Sequence, residues 1–397
     1  YFESPSMWYK FGIEKTSLRT GKVLGLGAGL LILLQLPLAG RLRLMDRIFS
    51  LPGLMHQHRR HAWIIALAVL IHPLCILLPD GKLTVPLEMR YWPEWAGVGL
   101  LAAVVVQLIS SWWRRRLGLA FHFWMPAHRM LGGLITTLLI IHVLYVSETF
   151  SEAGRPRLGV QIAAVVTAIV WVWVRTGWLR AGGRPYRVAC VAPAGADCTR
   201  IELKPGKPNG LAYAPGQFVF VAFRSRPVSR EPHAFTLSST PSRPDTLQLT
   251  VRACGDWTRR VARLAIGDHA MIQGPFGRFS HLLTAPCREL ILIAGGIGVT
   301  PMLSMLRFMA DRGDRRRITL LWSNRSRASM IYAEPLDDLE ARLTGLRRVH
   351  IFTRPAHMAE HSGRLNAISL ERHLATCGRS AAIFLCGPPQ MMRQVKS

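Results

Sequence analysis

Long apolar stretches fill the first part of the chain and short alternating ones the rest, with the change near residue 180. A bilayer core needs roughly 20 apolar residues in helical form. Five stretches approach that length, at about 22–39, 61–79, 95–113, 130–147 and 158–178, the first of them interrupted by Gln35. From Pro185 the texture becomes short strands with Gly/Pro punctuation, at 186–192, 199–204, 217–223, 233–239, 246–253 and 269–274, a spacing that predicts an antiparallel barrel. After about 289 the order strand, Gly-rich turn and helix recurs, with strands at 290–294, 317–322 and 382–386 and a helix at 302–310, as in a parallel α/β domain. The expected architecture is an N-terminal segment (1–21), an α-helical transmembrane bundle (22–181), an antiparallel β-barrel domain (184–288) and an α/β parallel-sheet domain (289–397).

Charge orients the spans. The loop after the first holds Arg41, Arg43, Arg47, Arg59 and Arg60 against Asp46; the loop after the third holds Arg114, Arg115, Arg116 and Arg129; the exit from the fifth holds Arg175, Arg180, Arg184 and Arg187. The other two loops are mixed, with Asp80, Glu88 and Glu94 against Lys82 and Arg90, then Glu148 and Glu152 against Arg155 and Arg157. The positive-inside rule puts the arginine-rich loops and the C-terminal half in the cytoplasm. An odd number of spans then leaves Lys10, Lys15, Arg19 and Lys22 outside, which suggests one more span upstream. The opening Tyr1–Ser6 lacks an initiator Met and reads as a tag-like remnant.

A net charge of +27 with half of the residues hydrophobic fits anionic lipid or phosphorylated cofactors. Nucleic acid is disfavoured, because the arginines sit beside apolar spans and form no basic domain of their own. The seven cysteines show no CxxC or CxxxC spacing, which argues against zinc and iron–sulfur sites.

Seven of the fourteen histidines fall within 56–142. His58 and His72 are fourteen apart, as are His128 and His142, close to four helical turns, so each couple shares one helix face at two depths ~21 Å apart. Both helices follow a cytoplasmic loop and run the same way. His58 therefore faces His128 at one level and His72 faces His142 at the other, an arrangement that forms two bis-His haem sites. Such ligation fills both axial positions on iron, so each haem carries electrons without a vacant site for oxygen. The plainer alternative is polar residues at helix ends, which suits His58 and His128 taken singly. Two couples of equal spacing on helices of equal direction make it the weaker reading. His56, His61 and His122 are expected to be interfacial. Gly132 and Gly133 would let a porphyrin approach the backbone, and ordinary helix packing explains them nearly as well.

In the barrel, His233-Ala-Phe-Thr-Leu-Ser-Ser239 places His233, Phe235 and Leu237 on one strand face, with an aromatic available for a flat ring and hydroxyls alongside. Gly255-Asp-Trp-Thr258 then opens a helix whose N–H groups suit an anion, with Arg252 and Arg259 adding charge. The strand 290–294 runs into Gly295-Gly-Ile-Gly-Val-Thr-Pro301, where glycines let a dinucleotide pyrophosphate approach the helix start. Strand 382–386 ends in Cys386-Gly-Pro-Pro389, at the carboxyl end where such sheets bind ligands. After strand 317–322, Ser323, Arg325 and Arg327 stand where an acid would bind the ribose hydroxyls of NAD, which favours the 2′-phosphate of NADPH; NADH stays open.

These residues resemble the ferric reductase and NADPH oxidase superfamily, a ferric-reductase-type haem domain joined to a ferredoxin–NADP reductase-type dehydrogenase. The resemblance covers the chain from about residue 20 onward. It rests on the histidine pairs, Pro215-Gly-Gln-Phe218, His233–Ser239 (similar to HPFTxSS), Gly274-Pro-Phe-Gly277, AGGIGVTP and CGPP. It implies that His233, Phe235, Thr236, Ser238, Arg252, Gly255 and Thr258 contact FAD, with Thr236 near the reactive flavin edge. It implies that Gly295, Gly296, Gly298, Thr300 and Pro301 hold the NADP pyrophosphate, and that Cys386 and Gly387 lie beside the nicotinamide; Thr236 and Cys386 are the candidate catalytic residues. Departures are Ala234 for the usual Pro, five spans where the family has six, and an end at Ser397 where the family continues to a C-terminal aromatic. Without that aromatic, nicotinamide docking or cofactor selectivity would change.

The expected activity is electron transfer from cytoplasmic NAD(P)H through FAD and two b-type haems to an acceptor across a bacterial inner membrane. Oxygen, giving superoxide, is the favoured acceptor and a ferric chelate the alternative. A membrane-tethered flavin reductase without haem is a further alternative, and a transporter with a nucleotide-sensing domain is the non-redox one. Oligomeric state is not legible.

Overall fold

The computed structural model describes residues 10–81, 85–146, 150, 154–180, 183–195, 197–207, 210–354, 363–375, 377–378 and 380–396. Tyr1–Ser6, Lys82, Glu148, Glu152 and Ser397 lie outside them, as do the side chains of Arg175 and Arg180. The chain divides into two compact units, Tyr1–Leu179 and Arg180–Ser397, each described by itself below.

The first unit is helical: α1 Gly12–Ala39, α2 Arg43–Phe49, α3 Leu51–Leu77, α4 Trp92–Trp112, α5 Phe121–Val146 and α6 Arg155–Arg180. Five stretches are long and apolar enough to cross a membrane, and their large side chains stay exposed on several faces (Leu30, Leu67, Leu70, Val106 and Ile169 among them). A helix that is apolar all round and uncovered is built for lipid. Three helices start well before their apolar stretches: α1 at Gly12, α3 at Leu51 and α5 at Phe121, where the hydropathy pattern predicted about 22, 61 and 130. Backbone hydrogen bonding continues through polar residues that a hydropathy criterion discounts. Local contacts help the early start. Ser50 caps α3 by accepting from the Gly53 N–H at 3.4 Å, and buried Asp46 accepts from the Leu51 N–H at 2.7 Å.

The consequence is positional. His58 and His128, candidates for helix ends in the sequence, each lie about two turns inside a helix. α3 packs chiefly along α1 and α5 along α4, so the backbones of α3 and α5 seldom approach each other closely. A buried apolar layer of Ile32, Ile65, Leu100, Val104, Ile135 and Leu139 joins α1, α3, α4 and α5 at mid-depth.

The second unit holds two sheets. Strands β1 (Arg184–Pro193), β2 (Cys198–Pro205), β3 (Phe218–Arg224), β4 (His233–Thr236), β5 (Leu247–Arg252) and β6 (His269–Phe276) form an antiparallel sheet in the order β4-β3-β6-β1-β2-β5. A bridge between Leu237 and Leu249 and the Ser238 N–H donating to the Gln248 carbonyl at 2.8 Å close it into a barrel. Inward residues such as Tyr186, Ile201, Leu203, Phe223 and Leu249 fill it. The barrel's short helix, α7, is Asp256–Arg260.

The second sheet is parallel, with β7 (Glu289–Gly295), β8 (Arg317–Asn324), β9 (Leu346–Phe352) and β10 (Ala382–Cys386) in the order β10-β7-β8-β9. β7 is buried throughout, which explains its unbroken apolar run. The helices are α8 (Thr300–Asp311), α9 (Ala333–Arg342), α10 (Ala367–Leu374) and α11 (Pro389–Lys396). The chain passes outward from β7 to β9 and returns to the other side of β7, so the switch point lies between β7 and β10. Such sheets bind ligands there.

Candidate functional site

In the helical unit the two histidine couples meet. The ring centres of His58 and His128 lie 6.4 Å apart, and those of His72 and His142 also lie 6.4 Å apart. Two contacts of equal length at two levels mean that α3 and α5 run parallel and in register. Two imidazoles on one metal, each with a bond of about 2 Å and its ring centre ~1.2 Å further on, would have centres roughly 6.4 Å apart. The rings therefore stand at the separation of an axial pair.

Their nitrogens are oriented too. His72 Nδ1 lies 2.8 Å from the Gly21 carbonyl oxygen, His142 Nδ1 3.5 Å from that of Pro93, and His128 Nδ1 3.3 Å from Ser111 Oγ. An Nδ1–H donated to an oxygen leaves Nε2 with its lone pair, the form a metal takes. Glycines make room for the rings. A Cβ on Gly25 would lie 2.8 Å from the His72 ring, and one on Gly97 would lie 2.6 Å from that of His142. These observations fit haem: two facing imidazole pairs, Nδ1 partners for His72, His128 and His142, and glycines that make room for the His72 and His142 rings.

Of the two readings of Gly132 and Gly133, the contacts suit helix packing. A Cβ on Gly132 would lie 3.8 Å from the Gln107 amide and one on Gly133 3.5 Å from the Trp171 indole, ordinary contact distances between packed helices. Gly25 and Gly97 were missed, although Gly21, Gly25 and Gly29 recur every fourth residue, the small-residue spacing of close helix approach. Among the described residues no group of three or more metal-binding side chains occurs.

In the second unit the barrel motifs converge on Gln217. Its Oε1 accepts from the Ala214 N–H at 2.8 Å, its Nε2 donates to the Gly277 carbonyl at 2.8 Å, and its own carbonyl accepts from the Leu237 N–H at 3.0 Å. One residue thus joins the segments 215–218, 233–239 and 274–277. On β4, His233 stacks on Trp257 at 4.0 Å and Phe235 at 5.7 Å. Both rings therefore lie on the Trp257 face, and alternation turns Ala234 and Thr236 to the opposite one. Ser238 is fully buried and donates to the Gln248 carbonyl at 3.1 Å, so its hydroxyl serves the barrel closure. Thr258 Oγ1 accepts from the N–H of Gly255 at 2.8 Å and of Cys254 at 3.0 Å; it shapes the turn that opens α7.

The two sheets meet at the glycine loop. Gly296 has φ +52, and a Cβ there would lie 3.1 Å from the Arg252 guanidinium. Arg252 from the barrel thus lies against the loop that follows β7. A Cβ on Gly298 would lie 2.3 Å from the Cys386 carbonyl oxygen, so only glycine lets that loop meet the end of β10. Trp322 Nε1 donates to the Gly296 carbonyl at 3.0 Å, and Thr300 Oγ1 to that of Ile297 at 3.0 Å. Pro301 is buried in the first turn of α8. Gly295 and Gly387 approach each other's backbone. Burial raises the Cys386 thiol above its ordinary range, which keeps it protonated and neutral. Ser323 lies in β8 near its end, and Arg325 and Arg327 are exposed just beyond.

A seam that motif reading overlooks binds α8 to the barrel. The Arg307 guanidinium donates to the Ser238 carbonyl at 2.7 Å and to Gln248 Oε1 at 2.6 Å, and lies 5.6 Å from the Tyr332 ring centre. Ser304 Oγ donates to the Ser239 carbonyl at 2.6 Å, and Thr240 Oγ1 to Asp311 at 2.8 Å.

Comparison with known proteins follows the same division. Residues 24–139 match the family described as ferric reductase like transmembrane component, residues 186–280 the FAD-binding domain, and residues 292–397 the oxidoreductase NAD-binding domain. The reductase component of propane 2-monooxygenase from Mycolicibacterium goodii is 25% identical over 52% of this chain, which spans 60% of that protein's length. Dual oxidase 2 from Sus scrofa is 29% identical over 63% of this chain and 17% of its own, a stretch longer than the C-terminal unit, so the likeness reaches into the helices. A flavohemoglobin from Malassezia yamatoensis is similar in fold, with a TM-score of 0.52 at 18% identity over 97% of this chain and 94% of that one. One polypeptide thus joins stretches similar to a ferric-reductase-like transmembrane component, an FAD-binding domain and an oxidoreductase NAD-binding domain, the domain composition of the ferric reductase and NADPH oxidase superfamily that the sequence resembles.

Proposed function

We propose that the protein carries electrons from cytoplasmic NAD(P)H through FAD and two b-type haems to an acceptor on the far side of the membrane. The observation that carries this reading is the pair of imidazole contacts, His58 with His128 and His72 with His142, each at 6.4 Å. When bound, the flavin accepts electrons in pairs and releases them singly, and the haem irons carry them one at a time.

The chain's own residues position and insulate these groups. Thr236, on the β4 face opposite Trp257, lines the flavin edge, while His233, Phe235 and Trp257 form the aromatic wall behind it. Arg252 neutralises phosphate charge beside Gly296, and the Gly295–Gly298 loop takes the pyrophosphate at the start of α8, with Gly298 keeping that loop packed on the end of β10. Cys386 stays a neutral thiol beside the nicotinamide, shaping its pocket without adding charge. Arg325 and Arg327 hold the 2′-phosphate of NADPH. In the membrane, the layer of Ile65, Val104, Ile135 and Leu139 keeps water from the space between the two histidine levels.

His58 with His128 and His72 with His142 would hold the two haems, which would supply one-electron transfer toward the acceptor without an iron site left open for it. The likeness to dual oxidase 2 supports oxygen with superoxide as product, and the match to the ferric reductase component supports a ferric chelate. Oxygen is the reading preferred here; stoichiometric superoxide with no gain in rate from ferric citrate is its expected signature.

The direct test is a reduced-minus-oxidised spectrum of purified protein, with haem counted per chain, before and after anaerobic NADPH. Two low-spin b-type haems, reduced by NADPH and lost in His72→Ala or His128→Ala, are expected. A flavin spectrum alone would leave a membrane-tethered flavin reductase.

A further inference from the structure

We infer that Ser111 is a positioning residue that fixes the tautomer of His128 and tunes the haem at the His58/His128 level separately from the other; this rests on the bis-histidine reading above.

The last two turns of α4 grip His128 twice. Gln107 Nε2 donates to the His128 carbonyl at 3.0 Å, and Ser111 Oγ lies 3.3 Å from the ring Nδ1. The serine has one proton to give, and it is engaged: Ser111 Oγ donates to the Gln107 carbonyl at 2.6 Å. What the hydroxyl turns toward Nδ1 is a lone pair. A nitrogen facing a lone pair holds its place by carrying the proton, so Nδ1 is the N–H and Nε2 the metal-binding atom. Water has little part in this choice, since the contact is partly buried between two helices.

The second level is built differently. His72 and His142 face the main-chain carbonyls of Gly21 and Pro93, acceptors that no side-chain substitution removes. His128 depends on a side chain for the same service. Donation from Nδ1 makes the ligating nitrogen a stronger base and favours ferric over ferrous iron. Removing the Ser111 hydroxyl therefore raises the reduction potential at the His58/His128 level and leaves the His72/His142 level where it was.

The experiment is an anaerobic potentiometric titration of the purified full chain, followed in the haem α-band, for wild type, Ser111→Ala and Ser111→Thr. The expected result is that one of two midpoint potentials rises in the alanine variant, the second does not move, and threonine restores the first. Unchanged potentials in Ser111→Ala, a joint shift of both, or threonine behaving as alanine would overturn the assignment. If alanine costs the haem, retention with the native potential in Ser111→Thr supports the role, and loss in both variants refutes it in favour of packing. Wild-type protein without haem refutes the bis-histidine reading, and this assignment with it.

Discussion

At the scale of single residues, space and protons are both set by close neighbours. Gly97 touches the His142 ring so closely that any Cβ would lie 2.6 Å from it, and a helix backbone does not yield that distance without losing hydrogen bonds. We expect Gly97→Val to bind one haem per chain in place of two, measured as the pyridine haemochrome; two retained haems would show that the ring has another place to go. In the C-terminal unit, His281 is buried, with its pKa pushed down to about 4 by desolvation first and by Arg316 second, Asp314 partly offsetting. A folded pKa below the unfolded value of 6.5 means that the unfolded chain binds the proton more readily. The stability is whole above about pH 6.5 and is lost as pH falls toward 4. The unfolding temperature of the reductase unit should fall over that window, and less so in His281→Gln. Arg325 makes a third case. Replacing it with Ser should raise the KM for NADPH about tenfold, the loss of roughly 1.4 kcal/mol, while KM for NADH stays within twofold.

At the scale of elements, the informative contact is between α8 and the barrel. α8 begins where the glycine loop ends, and Arg307 ties it to Ser238 and Gln248, just past the strand expected to line the flavin. The guanidinium is largely buried, and burial lowers its pKa, yet its hydrogen bonds and the Tyr332 ring keep the cation in place. Arg307→Met leaves two acceptors without a charged donor. It should destabilise the reductase unit by about 2–3 kcal/mol and slow flavin reduction by NADPH, both read in one stopped-flow and urea series. Full stability with slow reduction would make the residue a spacer between sites and not a clamp. Periodicity located β4 and α8 separately. The seam between them was illegible, because its partners are carbonyls and an arginine that no motif records.

At the scale of the whole molecule, two units with different solvents share one chain. The helical unit shows apolar side chains outward, and the C-terminal unit buries them in two sheets and their helices. Arginine-rich connections predict that the second unit lies in the cytoplasm. Exposed Cys254 offers the check. A membrane-impermeant maleimide should label it in inside-out vesicles and fail to do so in right-side-out ones; the reverse pattern would invert the orientation.

Composition and period by themselves determined the class of each half, the five spans, nine of the strand positions, and the two depths of the histidines. They could do so because apolar run length, alternation and helical repeat act along one chain. Helix starts escaped because hydrogen bonding runs on through Lys15, Arg19 and Arg59 where hydropathy stops. The tertiary structure alone decided which glycines meet the rings, that Gly132 and Gly133 face Gln107 and Trp171, that the Ser238 hydroxyl is spent within the barrel, and that Ser111 faces His128. Those outcomes depend on which neighbouring helix or strand arrives at a given level, and a period carries no information about a neighbour.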